Sequence, residues 1–380
     1  MKVLPVASGK GGVGKSLVAA NMACAFAQAG KKVILADLDL GASNLHLIIG
    51  HRKPGHSLGG FLNDPKTDFN SVIAETDIPN LKFIPGDAEI PGAANLKITQ
   101  RNTLIRKLLS LNTDILILDL GAGTHQSILD FFLVSGQGLI VSAPAVTATL
   151  GAYVFLKNAI FKLMYSSFSR NSAAFAYLEK LRKDGSGFKM LYLPKMLEEI
   201  AARDAASFSK FRNAMEHFHP RLILNMLEDP KDADVAMKIR RSCESYLGLQ
   251  IEHLGVIYRD SVQDISLASR LPVIIYKPQS LIAQAIYRIA DKIMQTGDDN
   301  FDFTLGRNID ESYQEALLEA EVDFENKKEY VEELLHSGIL TEGDLVETVK
   351  TQHLEISKLK KENSFLKQKL SKAITQGYRP

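Results

Sequence analysis

Ser8-Gly9-Lys10-Gly11-Gly12-Val13-Gly14-Lys15-Ser16 decides the fold of this chain. It follows Lys2-Val3-Leu4-Pro5-Val6-Ala7, a short apolar run that reads as a buried strand. It opens Leu17-Val18-Ala19-Ala20-Asn21-Met22-Ala23-Cys24-Ala25-Phe26-Ala27, a helix of small and apolar residues. Strand, glycine loop and helix, in that order, are the context in which G-x-x-x-x-G-K-[ST] cradles phosphate. Glycines let the backbone curl so that successive N–H groups point inward, and the helix N-terminus adds positive potential. The pattern assigns Gly9, Lys10, Gly11, Gly12, Val13, Gly14, Lys15, Ser16 and Leu17 to a nucleotide. Lys15 would sit on the β- and γ-phosphates, and the Ser16 hydroxyl on Mg²⁺.

Working outward, two further strands end in acid. Lys31-Lys32-Val33-Ile34-Leu35-Ala36-Asp37-Leu38-Asp39-Leu40 follows a helix ended by Gly30 and runs from four apolar residues into two aspartates. Residues two apart on a strand face the same way, so Asp37 and Asp39 converge on one site. Ligands of open α/β sheets gather at the carboxyl ends of the strands, where these carboxylates lie. Aspartates that merely cap a loop are the plainer alternative. Asp114-Ile115-Leu116-Ile117-Leu118-Asp119 is the most hydrophobic strand in the chain and delivers one carboxylate, a Walker B arrangement in which Asp119 holds Mg²⁺ directly or through water. Leu81–Gly86, Leu139–Pro144 and Arg221–Asn225 read as further strands, with helices over 101–111 and 148–164. The fold class is therefore α/β: a doubly wound, mostly parallel sheet of the P-loop NTPase kind, with ligand at its carboxyl ends.

The loop carries a second lysine, Lys10, ahead of Gly11-Gly12, and K-G-G-x-G-K-[ST] resembles the deviant Walker A motif of the MinD/ParA-type ATPases. The Asp37-to-Leu45 stretch is similar to that family's second acidic motif, and Asp119-Leu120-Gly121-Ala122-Gly123 to its γ-phosphate-sensing switch. Three motifs in the right order on strand ends are more specific than any one alone, and the resemblance covers about 1–295. Within the family, the MinD-like flagellar regulators (the FlhG/FleN-like group) share most with the stretch from Asp37 to Asn44 and the loop after Gly255.

The resemblance implies roles. Lys10 reaches the phosphates of a partner subunit, so the ATP-bound form is a face-to-face homodimer; a solvated loop charge is the alternative for this residue. Asp39 polarises the attacking water and Asp37 supports the magnesium shell with Ser16 and Asp119. Lys10, Lys15 and Asp39 are thus the catalytic candidates. Asn225, at a strand end, would contact adenine; a buried asparagine satisfied by backbone weighs almost equally. Arg259 lies in a stretch, Leu254 to Val262, similar to the last base-flanking loop. No Asn/Thr-Lys-x-Asp guanine motif follows any strand, which favours ATP over GTP.

Composition excludes other classes. The net charge of +1 over 380 residues gives no whole-chain field for DNA. Cys24 and Cys243 lie far apart with no C-x-x-C, which removes disulfide, zinc and iron–sulfur frameworks. The chain enters its first strand at once and has no apolar run of about eighteen residues, so the expectation is a cytoplasmic protein, at most peripheral at the inner face of the membrane.

Two segments depart from the compact family pattern. Residues 165–217 read as a helical insertion whose basic residues, Arg170, Lys180, Arg182 and Lys183, form a solvated face or a partner surface. Residues 296–310 read as a linker, and 311–380 as a helical tail. Ile356, Leu359, Asn363, Leu366, Leu370 and Ala373 alternate in steps of three and four, a heptad seam with one asparagine. A short coiled coil and a basic amphipathic helix on anionic lipid compete for that tail, and the absence of Trp tilts the balance to the coiled coil.

The functional expectation is an ATP-dependent dimerising switch with slow hydrolysis. It would position or regulate a cellular structure: flagellar number, the division site or DNA partitioning. A protein partner would engage the insertion or the tail. The alternatives are a metabolic P-loop ligase or kinase-like enzyme, and an interaction protein that uses nucleotide only for stability and works through its coiled coil.

Overall fold

The computed structural model describes residues 1–41, 43–51, 56–64, 67–86, 96–183, 192–296 and 309–336, together with Asn363, Leu366 and Leu370. Within 330–336 only the backbone is described. Among the described residues eight strands form one sheet in the order β3-β4-β2-β5-β1-β6-β7-β8. They are β1 (Lys2–Ser8), β2 (Val33–Leu38), β3 (Ala74–Glu75), β4 (Leu81–Ile84), β5 (Ile115–Ala122), β6 (Leu139–Ser142), β7 (Arg221–Leu227) and β8 (Glu252–Tyr258). All neighbours pair parallel except the two-residue β3, which runs antiparallel to β4 at one edge. The run Ile115–Leu120 is buried at every position, as a central parallel strand covered on both faces must be.

Helices Lys15–Gln28 and Leu281–Gln295 pack on each other. Helices Gln126–Phe132, Val146–Ser167 and Asp234–Leu247 form a second set, the long Val146–Ser167 helix lying between the other two. The Lys15–Gln28 helix is buried almost all round, which its alanine-rich sequence allows because small side chains let neighbours approach on every side. Sheet order reverses direction around β1, whose neighbours are β5 and β6, so the loop after β1 opens at the crevice where ligands of doubly wound sheets bind.

The described residues of the 165–217 segment contain three helices, Ala173–Lys183, Leu193–Arg203 and Ala205–Glu216. Leu178, Leu193, Met196, Ile200 and Phe211 are buried, and the segment packs on helices Val146–Ser167 and Asp234–Leu247, with Phe211 edge-on to Phe168. Asp204 caps the third, accepting from the Ser207 backbone N–H at 3.0 Å and from the Ser207 hydroxyl at 2.8 Å. Its basic residues are partly paired on the surface, Arg182 with Glu179 at 2.7 Å and Arg203 with Glu199 at 3.0 Å.

The chain divides into two compact units, Met1–Asp323 and Phe324–Pro380. The first unit therefore runs past residue 295 and takes in the start of the Ile309–His336 helix. Tyr313, Ala316 and Ala320 are buried there. The Tyr258 hydroxyl donates to the Ala320 carbonyl at 2.8 Å, the His253 N–H to Ser312 Oγ at 3.2 Å, and Lys292 pairs with Glu319 at 2.6 Å. In the second unit Lys328 pairs with Glu325 at 2.7 Å and stands 4.6 Å from the Phe324 ring centroid. Asn363, Leu366 and Leu370 are helical and exposed. The linker 297–308 and the seam positions Ile356, Leu359 and Ala373 lie outside the described residues. No helix among the described residues is long and apolar enough to cross a membrane.

Candidate nucleotide site

The loop after β1 turns into the Lys15–Gln28 helix through two glycines in the left-handed region, Gly12 at φ 80° and Gly14 at φ 81°. Gly14 is the helix N-cap residue, and no side chain caps the first turn. The leading backbone N–H groups of that helix are thus left to a ligand. Gly9 is required for a different reason: a Cβ there would lie 1.9 Å from the Gly151 carbonyl oxygen of the Val146–Ser167 helix.

Strand register then brings the acids together. Asp37 on β2 stands opposite Asp119 on β5, and Val6 on β1 opposite the same Asp119 from the other side. Lys15 Nζ donates to Asp119 Oδ1 at 2.6 Å, both side chains buried, and lies 3.3 Å from Ser16 Oγ. Burial raises the Asp119 carboxyl above its usual range; the Lys15 charge opposes that, and the Asp39 charge reinforces it. Asp37 is raised by burial and then by the Asp119 charge. Its ionised form is supported by the Ser43 hydroxyl at 2.6 Å and the N–H groups of Asp39 at 3.1 Å and Leu45 at 3.3 Å.

Asp39 is less buried than Asp37 and lines a cavity of about 220 Å³ with Gly121, Ala122, His125, Ser127 and Phe131. A Cβ at Gly121 would come within 3.2 Å of Asp39 Oδ1, so the acidic strand end and the Gly121-Ala122-Gly123 loop face each other closely. Lys10 is exposed, its Nζ donating to Thr147 Oγ1 at 2.6 Å on the first turn of the Val146–Ser167 helix. The two lysines of the loop are thus separated: one buried on a carboxylate, the other at the surface.

Asn225, buried at the end of β7, donates from Nδ2 to the Val13 carbonyl at 2.9 Å. In this arrangement its amide braces the phosphate loop through backbone, the second of the two readings open for it. Arg259 follows β8 with its side chain exposed, its guanidinium 3.4 Å from Glu228 Oε1 and its N–H on the Leu227 carbonyl at 2.9 Å. It shares the carboxyl edge of the sheet with the loop, on the strand beside β7.

Four functional neighbours escaped the motif reading. Ser43 and Gly86 close around Asp37, the latter so tightly that a Cβ would fall 2.9 Å from the Asp37 carbonyl oxygen. Thr147 and Gly151 support Lys10 and Gly9 from another element. Only Gly151 left a sequence signal, a glycine inside a helical pattern, which usually marks a close packing contact.

These residues fit a phosphate-bound divalent cation. Among the described residues Asp119 Oδ2 is buried with no hydrogen-bond partner, with the Ser16 hydroxyl next to the same carboxylate. No group of three His, Cys, Asp or Glu able to hold a metal occurs among the described residues, so a cation here would depend on phosphate oxygens and water for the rest of its shell.

Comparison with known proteins agrees with the geometry. A family model described as the CobQ/CobB/MinD/ParA nucleotide binding domain matches residues 4–273. Septum site-determining protein MinD of Synechocystis is 30% identical over 152 residues, 40% of this chain and 56% of the relative. Antiactivator FleN of Pseudomonas aeruginosa is 29% identical over 159 residues, 41% of this chain and 56% of the relative. The chain thus spans about half the length of the curated relatives it matches. The structure of septum site-determining protein MinD complexed with Mg-ADP, from Pyrococcus horikoshii, superposes with TM-score 0.53 at 19% identity, covering 81% of this chain and 99% of that one. At that identity the likeness is one of fold. The chain belongs to the CobQ/CobB/MinD/ParA nucleotide-binding family.

Proposed function

We propose that this member of the family is an ATP-dependent dimerising switch with slow, magnesium-dependent hydrolysis, which positions or regulates a cellular structure. The observation that carries the reading is the division of labour between the two loop lysines. Lys15 is buried on Asp119, within reach of the phosphate cradle, while Lys10 stands exposed on Thr147. A lysine that served only its own subunit's phosphates would not need to sit outside the cleft. Its position supports a role toward a second subunit.

On this reading Lys15 exchanges Asp119 for the β- and γ-phosphates, which releases the Asp119 carboxylate, with Ser16, for magnesium. The cation neutralises phosphate charge when bound. Asp37 holds the metal side of the site through its three hydrogen bonds. Asp39, in the cavity facing Gly121, orients the attacking water, and Lys10 of the second subunit stabilises charge developing on the transferred group. Slow turnover suits a switch, whose output is the time spent dimeric. The names of the relatives, a septum-site determinant and an antiactivator, support a positioning or regulatory role; flagellum, division site and DNA partitioning are its three candidate settings.

The test is solution mass by light scattering on the full chain with ADP and with ATP, alongside ATP turnover. Asp39→Ala should bind ATP, hydrolyse it at least tenfold more slowly and accumulate as dimer. Lys10→Ala should bind ATP and stay at the ADP mass. An unchanged mass with either nucleotide in the parent and in Asp39→Ala would overturn the switch. Turnover raised many-fold by a small-molecule acceptor would favour a ligase instead.

A further inference from the structure

In the second unit, Asn363, Leu366 and Leu370 are helical and open to water, Leu366 by 56% and Leu370 by 48%. Steps of three and four place the three on one face of a helix. Leu345, Val349, Gln352, Ile356, Leu359 and Ala373 continue the same alternation in the sequence, so the repeat runs for four heptads. A repeat of that length with charged flanks is the pattern of a coiled coil rather than of a solvated helix.

The residue types at each heptad position decide how many strands pair and in which direction. With Asn363 at position a, Val349 and Ile356 also fall at a, and Leu345, Leu359 and Leu366 at d. β-Branched residues at a with leucine at d favour two parallel strands. Asn363 then sets the register. Paired in register it meets its own copy, and the two amides satisfy each other; any shift sets it against an apolar layer. The flanks carry opposite signs: Glu355 and Glu362 at g, Lys360 and Lys367 at e. In a parallel, in-register pair each g position faces the partner's e position five residues on. Glu355 therefore meets Lys360 of the other copy, and Glu362 meets Lys367. Antiparallel strands would set g against g and e against e, like charge on like. A helix lying on anionic lipid would carry lysine on both flanks of its apolar face, and here one flank holds the Glu355–Glu362 column.

We propose that this seam pairs with the same seam of a second copy of this chain, as a parallel, in-register, two-stranded coiled coil that forms without nucleotide. The occupant follows from self-complementarity: the charges a partner needs at e and g are those this chain already carries. Gln352, Asn363 and Ala373 weaken three layers of the seam, which sets the dissociation constant at about 10–100 µM. This self-association surface lies in a different unit from the phosphate loop and uses none of its residues.

The test is sedimentation velocity on the full chain with ADP, from about 2 to 200 µM. The mass should rise from one chain to two over that range. Glu355→Lys with Glu362→Lys should weaken the association at least tenfold, as should Lys360→Glu with Lys367→Glu. An equimolar mixture of those two variants should restore it, which shows that neither has merely lost its helix. Leu366→Cys should cross-link to itself under mild oxidation, the native Cys24 and Cys243 being buried. A mass of one chain throughout, an association indifferent to the charge exchanges, or a mixture that stays at one chain would each overturn the proposal. So would a Leu366→Cys that links only to Gln352→Cys, which is the antiparallel arrangement. A parent that stays at one chain but binds phosphatidylglycerol vesicles, more tightly after Glu355→Lys with Glu362→Lys, would assign the seam to lipid instead. ADP is present throughout and a few micromolar protein lies below the range of tail pairing, so this surface and the ATP switch can fail separately.

Discussion

At the scale of single residues, the phosphate loop owes its shape to three glycines that are needed for three different reasons. A methyl group at Gly9 would strike the Gly151 backbone at 1.9 Å, and backbone cannot rotate away. At Gly12 nothing lies within 4 Å of the added atom, and only the positive φ is costly. At Gly14 the added carbon meets Asn225 Nδ2 at 2.2 Å, so the Asn225–Val13 hydrogen bond must break in addition to the φ strain. Gly12→Ala should therefore cost about 1–2 kcal/mol, and Gly9→Ala about 3 kcal/mol or more, with Gly14→Ala between them. Thermal unfolding followed by circular dichroism gives the order, and a Gly9→Ala protein that melts at or above Gly12→Ala would contradict the packing argument. The three were legible only as a motif. Spacing marked all of them as phosphate-loop glycines, but Gly9's partner sits in a helix more than a hundred residues away, and no local pattern encodes that contact. The same holds for Thr147 under Lys10 and Ser43 on Asp37: each is an ordinary polar residue until the fold supplies its neighbour.

At the scale of elements, strands were easy to read where burial on both faces forces an unbroken apolar run, as in Ile115–Leu120, and where an aspartate ends that run at the ligand edge. Elements ruled by tertiary contact were harder. Val273-Ile274-Ile275 is β-branched, yet Val273–Tyr276 is a helical turn, begun after Pro272 and held by the Ile274 N–H on Asn21 Oδ1 at 3.0 Å. The last strand, β8, hides a titratable group on the side covered by the Ile309–His336 helix. The His253 and Tyr313 ring centroids lie 5.2 Å apart, and His253 Nε2 is buried without a hydrogen-bond partner among the described residues. Burial, aided by the Lys292 charge, lowers it from 6.5 to about 3. The folded state thus holds this imidazole neutral, while the unfolded chain protonates it below pH 6.5. Its contribution to stability is full above that value and is lost as pH falls from 6.5 toward 3, on the order of 2 kcal/mol by pH 5. Carboxylates titrate over the lower part of the same range, so the comparison is between proteins. Chemical denaturation of His253→Phe at pH 7.5 and pH 5 should show a smaller acid loss than the parent. Identical losses would mean that His253 is not the group responsible.

At the scale of the whole chain, what holds β8 in place decides where the first unit ends. Sequence reading closed the nucleotide-binding domain near 295, where the resemblance to the compact family pattern stops, and assigned the following helix to a tail. The compact unit instead runs to Asp323. The reason is a short stripe, Tyr313, Ala316 and Ala320, on an otherwise acidic helix; two alanines and a tyrosine at steps of three and four are too weak a signal to separate a docked turn from a solvated one. Docking also satisfies groups that would otherwise be stranded. Lys292 finds Glu319, Arg288 finds Asp323, and the Tyr258 hydroxyl finds the Ala320 carbonyl. A fragment of residues 1–296 would expose the β8 face and leave those cations without their acids, whereas 1–323 keeps all of them. Burial of one tyrosine and two alanines, with one buried hydrogen bond, is worth about 3–4 kcal/mol. The shorter fragment should therefore be less stable by that margin and unfold at a lower urea concentration, with a greater tendency to associate as apolar surface on β8 opens. Equal midpoints for 1–296 and 1–323 would show that the docked turns add nothing and that the unit closes at the end of helix Leu281–Gln295. Because Tyr258 immediately precedes Arg259, loss of the Ala320 contact should also loosen the loop that carries Arg259. Weaker ATP binding by 1–296 than by 1–323, in equilibrium titration at a temperature where both are folded, is the expected result. If both fragments bind equally, the helix stabilises the sheet without reaching the nucleotide.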